Sequence, residues 1–232
     1  WQVPNILWRP TPDQLREWLS QSSPFWSYDV ETDGIVPTET NIRTIAIAIP
    51  DLDAQGRIAR HPDRPIAQNS RAVGVTLTTV QGARWYDPET EEEILDILRT
   101  AMTDGRMWVG HNAGSFDRMV VENNWGVTPM PLLDTLFLTR IRAPELPKSL
   151  KTIGSILTDV DRWESTEKGE SIATGTQGDD ELLKYNCIDA CVNARIMPPL
   201  LHVGEFNGAF RPLPEWARPE ILPAGSEWSL HT

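Results

Sequence analysis

Trp26-Ser27-Tyr28-Asp29-Val30-Glu31 places three bulky side chains at every second position, with Ser27, Asp29 and Glu31 between them. A period of two is the repeat of a β-strand, so Trp26, Tyr28 and Val30 face a core while the two acids share the opposite face. Thr32-Asp33-Gly34 ends the strand. Downstream, Ile45, Ile47 and Ile49 alternate with Thr44, Ala46 and Ala48, which predicts a second strand covered on both faces, its small side suited to a closely packed helix. Further strands are expected over residues 71–78, 83–86 and 107–109.

Helices are read between and around these strands. Thr11-Pro12-Asp13-Gln14 has the spacing of a capping box with Pro at the first helical position, followed by Leu15, Trp18 and Leu19. Asp87-Pro88-Glu89 opens a second helix with the apolar stripe Ile94, Leu95, Leu98 and Met102, stopped by Asp104-Gly105. After the strand at 107–109, Gly110-His111-Asn112 leads to a helix capped by Ser115 and running to about Asn123, with Asp117 in its first turn. Asp134 precedes a helical run from Thr135 to Ile141, and Leu150, Ile153, Ile156 and Leu157 mark another after Pro147. The last helix, over 180–197, puts Tyr185, Asp189, Val192 and Ile196 on one stripe before Pro198-Pro199 terminates it. Strands interleaved with helices at these lengths give an α/β class.

At 232 residues the chain fits one such domain with appendages: a helical extension over 1–23, the main domain over 24–197, and a Pro- and Trp-containing arm, or the start of another domain, over 198–232. The start at Trp1 and the end at Thr232 read as a processed chain or an excised domain. Residues 50–70 read as a loop insertion, and the polar, glycine-containing stretch 158–179 as a lid or an ordinary surface insertion. No run reaches the length of a membrane span and no signal-peptide pattern opens the chain, so a soluble protein is expected. Cys187 and Cys191 lack the second ligand pair of a structural zinc site and read as buried thiols, which with the missing Asn-x-Ser/Thr sequon fits a reducing intracellular compartment. A net charge of −12 excludes a broad basic surface for gripping duplex nucleic acid. The segment Arg140 to Lys151 carries Arg140, Arg142, Lys148 and Lys151 against only Glu145, which reads either as a local nucleic-acid contact or as a solvated helix-loop surface.

The acids carry the chemistry. Asp29 and Glu31 on one strand face, Asp117 at a helix start and Asp189 one turn beyond Tyr185 form an all-oxygen donor set, which suits hard divalent cations that stabilise both oxygens of a phosphodiester displacement. The positive end of the helix dipole favours the ionised form of Asp117 that a metal ligand requires. An Asp-x-Glu triplet alone is weak; three motifs in this order and context are much stricter.

Together, Tyr28-Asp29-Val30-Glu31-Thr32-Asp33-Gly34, Val109-Gly110-His111-Asn112-Ala113-Gly114-Ser115-Phe116-Asp117-Arg118, Leu132-Leu133-Asp134-Thr135-Leu136-Phe137-Leu138-Thr139-Arg140 and Tyr185-Asn186-Cys187-Ile188-Asp189 resemble the DEDD superfamily of 3'-5' exonucleases. Within it they are most similar to the proofreading domains of family A DNA polymerases of the mitochondrial gamma and phage kind. The resemblance covers about residues 24–197 and implies a ribonuclease H-like α/β fold, a mixed five-stranded sheet flanked by helices. It implies that Asp29, Glu31, Asp117 and Asp189 bind two Mg2+ or Mn2+ ions. With Tyr185 four residues before Asp189 and Lys184 where a histidine type carries its base, the chain looks like the tyrosine type, in which Tyr185 orients the attacking water and a nucleoside 5'-monophosphate leaves. Expected substrate-side residues are Asn112, Phe116 (with a core role favoured), Arg140, Lys148 and Lys151. Trp163 is a candidate for stacking on a base, and His111 is expected to be structural. The implied substrate is a single-stranded or frayed DNA 3' end presented by a polymerase domain or subunit, in a bacterial or host cytoplasm rather than a mitochondrion. An RNA-processing exonuclease and a catalytically silent nucleic-acid-binding module are the alternatives.

Overall fold

Six strands form one mixed sheet in the computed structural model of the chain, which describes residues 5–59, 69–158, 160 and 178–201. In chain order the elements are β1 (Asn5–Trp8), α1 (Pro12–Leu19), β2 (Trp26–Thr32), β3 (Ile42–Pro50), β4 (Ser70–Thr76), α2 (Pro88–Thr103), β5 (Trp108–Gly110), α3 (Asp117–Trp125), β6 (Leu132–Asp134), α4 (Thr135–Arg142), α5 (Leu150–Leu157) and α6 (Asp179–Leu201). The strand order is β1-β4-β3-β2-β5-β6, antiparallel at β4-β3 and β3-β2 and parallel elsewhere.

The alternation around Asp29 separates two cores. Trp26, Tyr28 and Val30 join Ile45, Ile47, Ile49, Val73 and Val75 under α1, α2 and α3. On the other face Ala46, Ala48 and Ala72 lie under α5 and α6. The small side of β3 does receive a helix: Ala46 pairs with Gly74 and Ala48 with Ala72, and a Cβ on Gly74 would stand 2.6 Å from Cys187 Sγ. Cys187 and Cys191 are both buried, free thiols at this contact. Flat, small residues let α6 settle onto the sheet and carry Tyr185 and Asp189 toward β2.

Local signals read from the sequence reappear in detail. Thr11 Oγ1 accepts from the Gln14 amide N–H while the Gln14 side chain accepts from Thr11 N–H. The Asp87 carboxylate accepts from the N–H groups of Glu89 and Thr90 to start α2. Several boundaries differ. Strands β1 and β6 are four and three residues long, too short to display a period, and were not expected. Residues 83–86 form no strand; Arg84 makes only an isolated bridge to Thr78, because the chain folds back through a tight turn at Gly82. Ser115 does not cap α3: its hydroxyl donates to Asn112 Oδ1, and Phe116 stands at the N-cap without a side-chain bond.

Pro198 and Pro199 do not end α6, which continues to Leu201. The prolines withhold two N–H groups from the carbonyls of Ala194 and Arg195, while buried Arg142 donates to carbonyls of the last turn, those of Pro199 and Leu200, at 3.4 and 2.7 Å. The expected lid over 158–179, Trp163, and the arm beyond Leu201 fall wholly or mainly outside the described residues. Among those described, no helix is long and apolar enough to cross a membrane.

Candidate active site

Strands β2 and β5 pair only through Trp26↔Trp108 and Ser27↔Val109, after which β5 ends at Gly110. The second half of β2 therefore faces a notch at the carboxyl ends of the parallel strands, where ligands of open α/β sheets commonly bind. Asp29 and Glu31 lie there. Val30 N–H, left without a strand partner, donates to Asp117 Oδ1 at 3.0 Å, so Asp117 at the start of α3 closes the notch. From the other core, α6 presents Asp189 and Tyr185.

Ligand oxygens of Asp29, Glu31 and Asp189 all lie within 4.8 Å of one another. Tyr185 and Asp189 stand one turn apart on α6, and the Asp189 charge bears on the Tyr185 phenol. Lys151, in the first turn of α5, sets its ammonium 5.0 Å from the centre of the Tyr185 ring. Burial first, then the charges of Asp117, Asp189 and Glu31, hold the Asp29 carboxyl well above the ordinary carboxylate range. Burial, with the charges of Asp189 and Asp117, pushes Glu31 up to about 8, opposed by Lys151. Asp117 is pushed up to about 7, chiefly by burial, against the pull of its hydrogen bond from Val30 N–H. Burial and the charges of Asp189, Glu31 and Asp29 keep Tyr185 in its protonated, hydrogen-donating form.

The other expected residues divide. Phe116 packs against the core beneath α3. Asn112 is exposed, with a left-handed backbone at φ 64°, on the loop that delivers Asp117. Arg140 points along exposed Phe137 of α4, its guanidinium 5.7 Å from the ring centre. Lys148 is turned inward: its ammonium donates to the carbonyls of Ala143, Pro144 and Leu146, which commits its charge to the loop before α5. His111 is structural as expected. Its Nε2 bonds the Lys148 carbonyl at 2.8 Å and its Nδ1 the Thr135 hydroxyl at 2.9 Å, with burial lowering its pKa.

Three residues behind the site are not marked by the sequence as its supports, and Asp134 reads there only as preceding a helix. The Asp134 carboxylate accepts from the N–H groups of Asn112, Gly114 and Leu136 at 2.9, 3.0 and 2.9 Å, so it pins the loop before Asp117 while capping α4. Asn193 reaches from α6 to Ser27 on β2 and to Thr135. Asn186 donates to Asp29 Oδ2 at 2.7 Å. The available signal was spacing: Asn186 precedes Asp189 by three and Asn193 follows it by four, on the same side of a helix.

No protein-family model and no curated protein matches the sequence. Solved structures do match. NrnC of Brucella melitensis with bound Mg2+ superposes with a TM-score of 0.53 at 17% identity, covering 86% of this chain and 80% of that one. Escherichia coli RNase D, an exoribonuclease involved in structured RNA processing, gives 0.52 at 15% identity over 84% of this chain and 43% of that one. The catalytic core of RRP6 from Trypanosoma brucei gives 0.58 at 10% identity, covering 85% and 46%. At these identities the likeness is one of fold: the chain has the ribonuclease H-like arrangement, here with six strands in its mixed sheet.

Proposed function

We propose that the chain is a divalent-metal-dependent 3'-5' exonuclease of the DEDD type, releasing nucleoside 5'-monophosphates from single-stranded 3' ends. The observation that carries this reading is the convergence of Asp29, Glu31 and Asp189 within 4.8 Å, with Asp117 alongside. Three carboxylates this close, Asp189 buried and Asp29 and Glu31 half-buried, repel one another, and a cation relieves that repulsion. Oxygen donors without sulfur or imidazole suit Mg2+ or Mn2+ better than zinc. Asp29, Glu31 and Asp189 would hold the metal, and Asp117, anchored through Oδ1 to Val30, completes the set. Two such ions supply a water of lowered pKa and positive charge for the departing 3'-oxygen.

The chain's own groups do the rest. Tyr185 keeps its proton and, one turn from Asp189, offers a hydroxyl that orients the attacking water rather than a base that deprotonates it. Lys151 brings a positive charge beside Tyr185 and Glu31, where a phosphate would enter. Past Glu31, the Asp33 carboxylate accepts from Thr40 Oγ1 and from Asn41, closing a loop on which Ile35 is 90% exposed and able to lie against a terminal base. A frayed end needs only such local contacts, which reconciles the reading with a net charge of −12.

Two readings of the sugar rest on different observations. RNA 3' ends stand first, supported by the fold shared with RNase D and by NrnC, which has structures with Mg2+ and with pGG. DNA 3' ends, delivered by a polymerase domain or subunit, are favoured by the motif resemblance around His111 and Asp134. Comparing single-stranded RNA and DNA of one sequence, each labelled at its 5' end, separates them. RNA degraded faster by tenfold or more supports the first, and the reverse supports proofreading. No digestion of either, with added metal, overturns the enzyme reading and leaves a binding module.

A further inference from the structure

Asp29 is held from behind by a side chain to which the reaction assigns no role. Asn186, fully buried on α6, donates from Nδ2 to Asp29 Oδ2 at 2.7 Å and accepts at Oδ1 from the Thr44 hydroxyl at 2.9 Å. Thr44 lies on β3 directly opposite Glu31, and Asp29 lies opposite Ala46. With Asp29 ionised, as a metal ligand must be, the amide is oriented with its NH2 toward Asp29, because a flipped group would turn its oxygen against the carboxylate. A carboxylate whose one oxygen is tied in this way has its rotation about the Cβ–Cγ bond fixed, so Oδ1 is the oxygen left to aim into the cluster.

We infer that Asn186, itself oriented by Thr44, is a positioning residue that aims Asp29 at the divalent ion and so sets the affinity of the three-acid cluster. The inference rests on the metal-binding reading above and adds to it a supporting pair on two further elements. Outer partners of metal ligands commonly change affinity by about 10- to 100-fold when removed. Thr44 is buried and its hydroxyl donates to Asn186, so a change that removes only the hydroxyl acts on Asp29 through Asn186.

Titration calorimetry of Mn2+ into the metal-free full chain tests this directly, beside circular dichroism of each variant. Asn186→Ala is expected to weaken Mn2+ binding by about tenfold or more. Thr44→Val, nearly isosteric, is expected to weaken it about threefold or more, and Thr44→Ser, which keeps the hydroxyl, to stay within about twofold of the parent. If Asn186→Ala fails to fold, the two Thr44 variants carry the test alone. Folded Thr44→Val with the parent's affinity, or Thr44→Ser as weak as Thr44→Val, overturns the inference. Absence of Mn2+ binding by the unmodified chain would instead overturn the metal-site reading beneath it.

Discussion

Gly74→Ala probes the contact that seats α6 on the sheet. Its new Cβ would stand 2.6 Å from Cys187 Sγ, 2.8 Å from Leu183 Cδ1 and 3.1 Å from Leu183 Cγ, all on fully buried side chains. Ordinary contacts between such atoms lie at about 3.5–4.0 Å, so the nearest is too close by about 1 Å. The Leu183 methyl can rotate away, but Cys187 Sγ is held between helix and strand. Overpacking of this kind costs about 1–3 kcal/mol, and the stiffer unfolded chain returns about 0.4–1 kcal/mol, which leaves a net loss of about 1–2 kcal/mol. Cys187→Ala removes the sulfur, so Gly74→Ala/Cys187→Ala should be more stable than the sum of the single changes by about 1 kcal/mol or more. Urea unfolding of the metal-free chain, compared at unchanged slope, gives all three values. Wild-type stability for Gly74→Ala, or strict additivity in the pair, would refute the seating argument. Because α6 carries Tyr185, Asn186 and Asp189, the single variant should also turn over more slowly.

Other perturbations separate the roles of neighbouring groups. Glu31 and Asp117 have folded pKa values raised from 4.5 and 3.8 to about 8 and about 7, so the stability they contribute in metal-free protein is full below about 4 and is lost as pH rises through 7 and 8. The melting temperature in chelator should therefore fall from pH 5.5 to about pH 8.5, and Mn2+ should stabilise most at the alkaline end; a melting temperature rising over that window contradicts the raised values. Tyr185→Phe should leave Mn2+ affinity within about twofold and slow single-turnover cleavage by about tenfold or more, and unchanged turnover removes Tyr185 from the chemistry. Asp134→Ala should lose about 2–3 kcal/mol in urea unfolding, since it frees three N–H groups, and should lower turnover by loosening Asp117; a loss below about 0.5 kcal/mol would make Asp134 a minor cap.

Which features were legible in sequence follows from the distance over which each is decided. The alternation of β2 and β3, the capping box at Thr11, the helix start at Asp87, and the small side of β3 are local patterns, and each reappears in the fold. The two short strands β1 and β6 owe their existence to pairing with β4 and β5, which no four-residue window encodes. Pro198-Pro199 stops a helix in water, whereas here Arg142 serves the last carbonyls and burial keeps the turn wound. In the site the acids were legible from residue type and spacing. Their supports were not, because Asn186 finds Asp29 across 157 positions and Thr44 across 142. Lys148 shows what charge alone leaves open: it reads as a phosphate contact, and in the fold its ammonium donates to the carbonyls of Ala143 and Pro144 in its own loop.

The central claim is that the acids gathered around Asp29 are a metal-dependent device for shortening nucleic acid from its 3' end. A single-stranded oligonucleotide labelled at its 5' end, incubated with the full chain and Mn2+, tests it most directly beside matched reactions with excess chelator and with Asp189→Asn. A ladder descending one nucleotide at a time, nucleoside 5'-monophosphate as product, and no cleavage in either control are expected. Undiminished cleavage in chelator or by Asp189→Asn, or first cuts inside the strand, would contradict it.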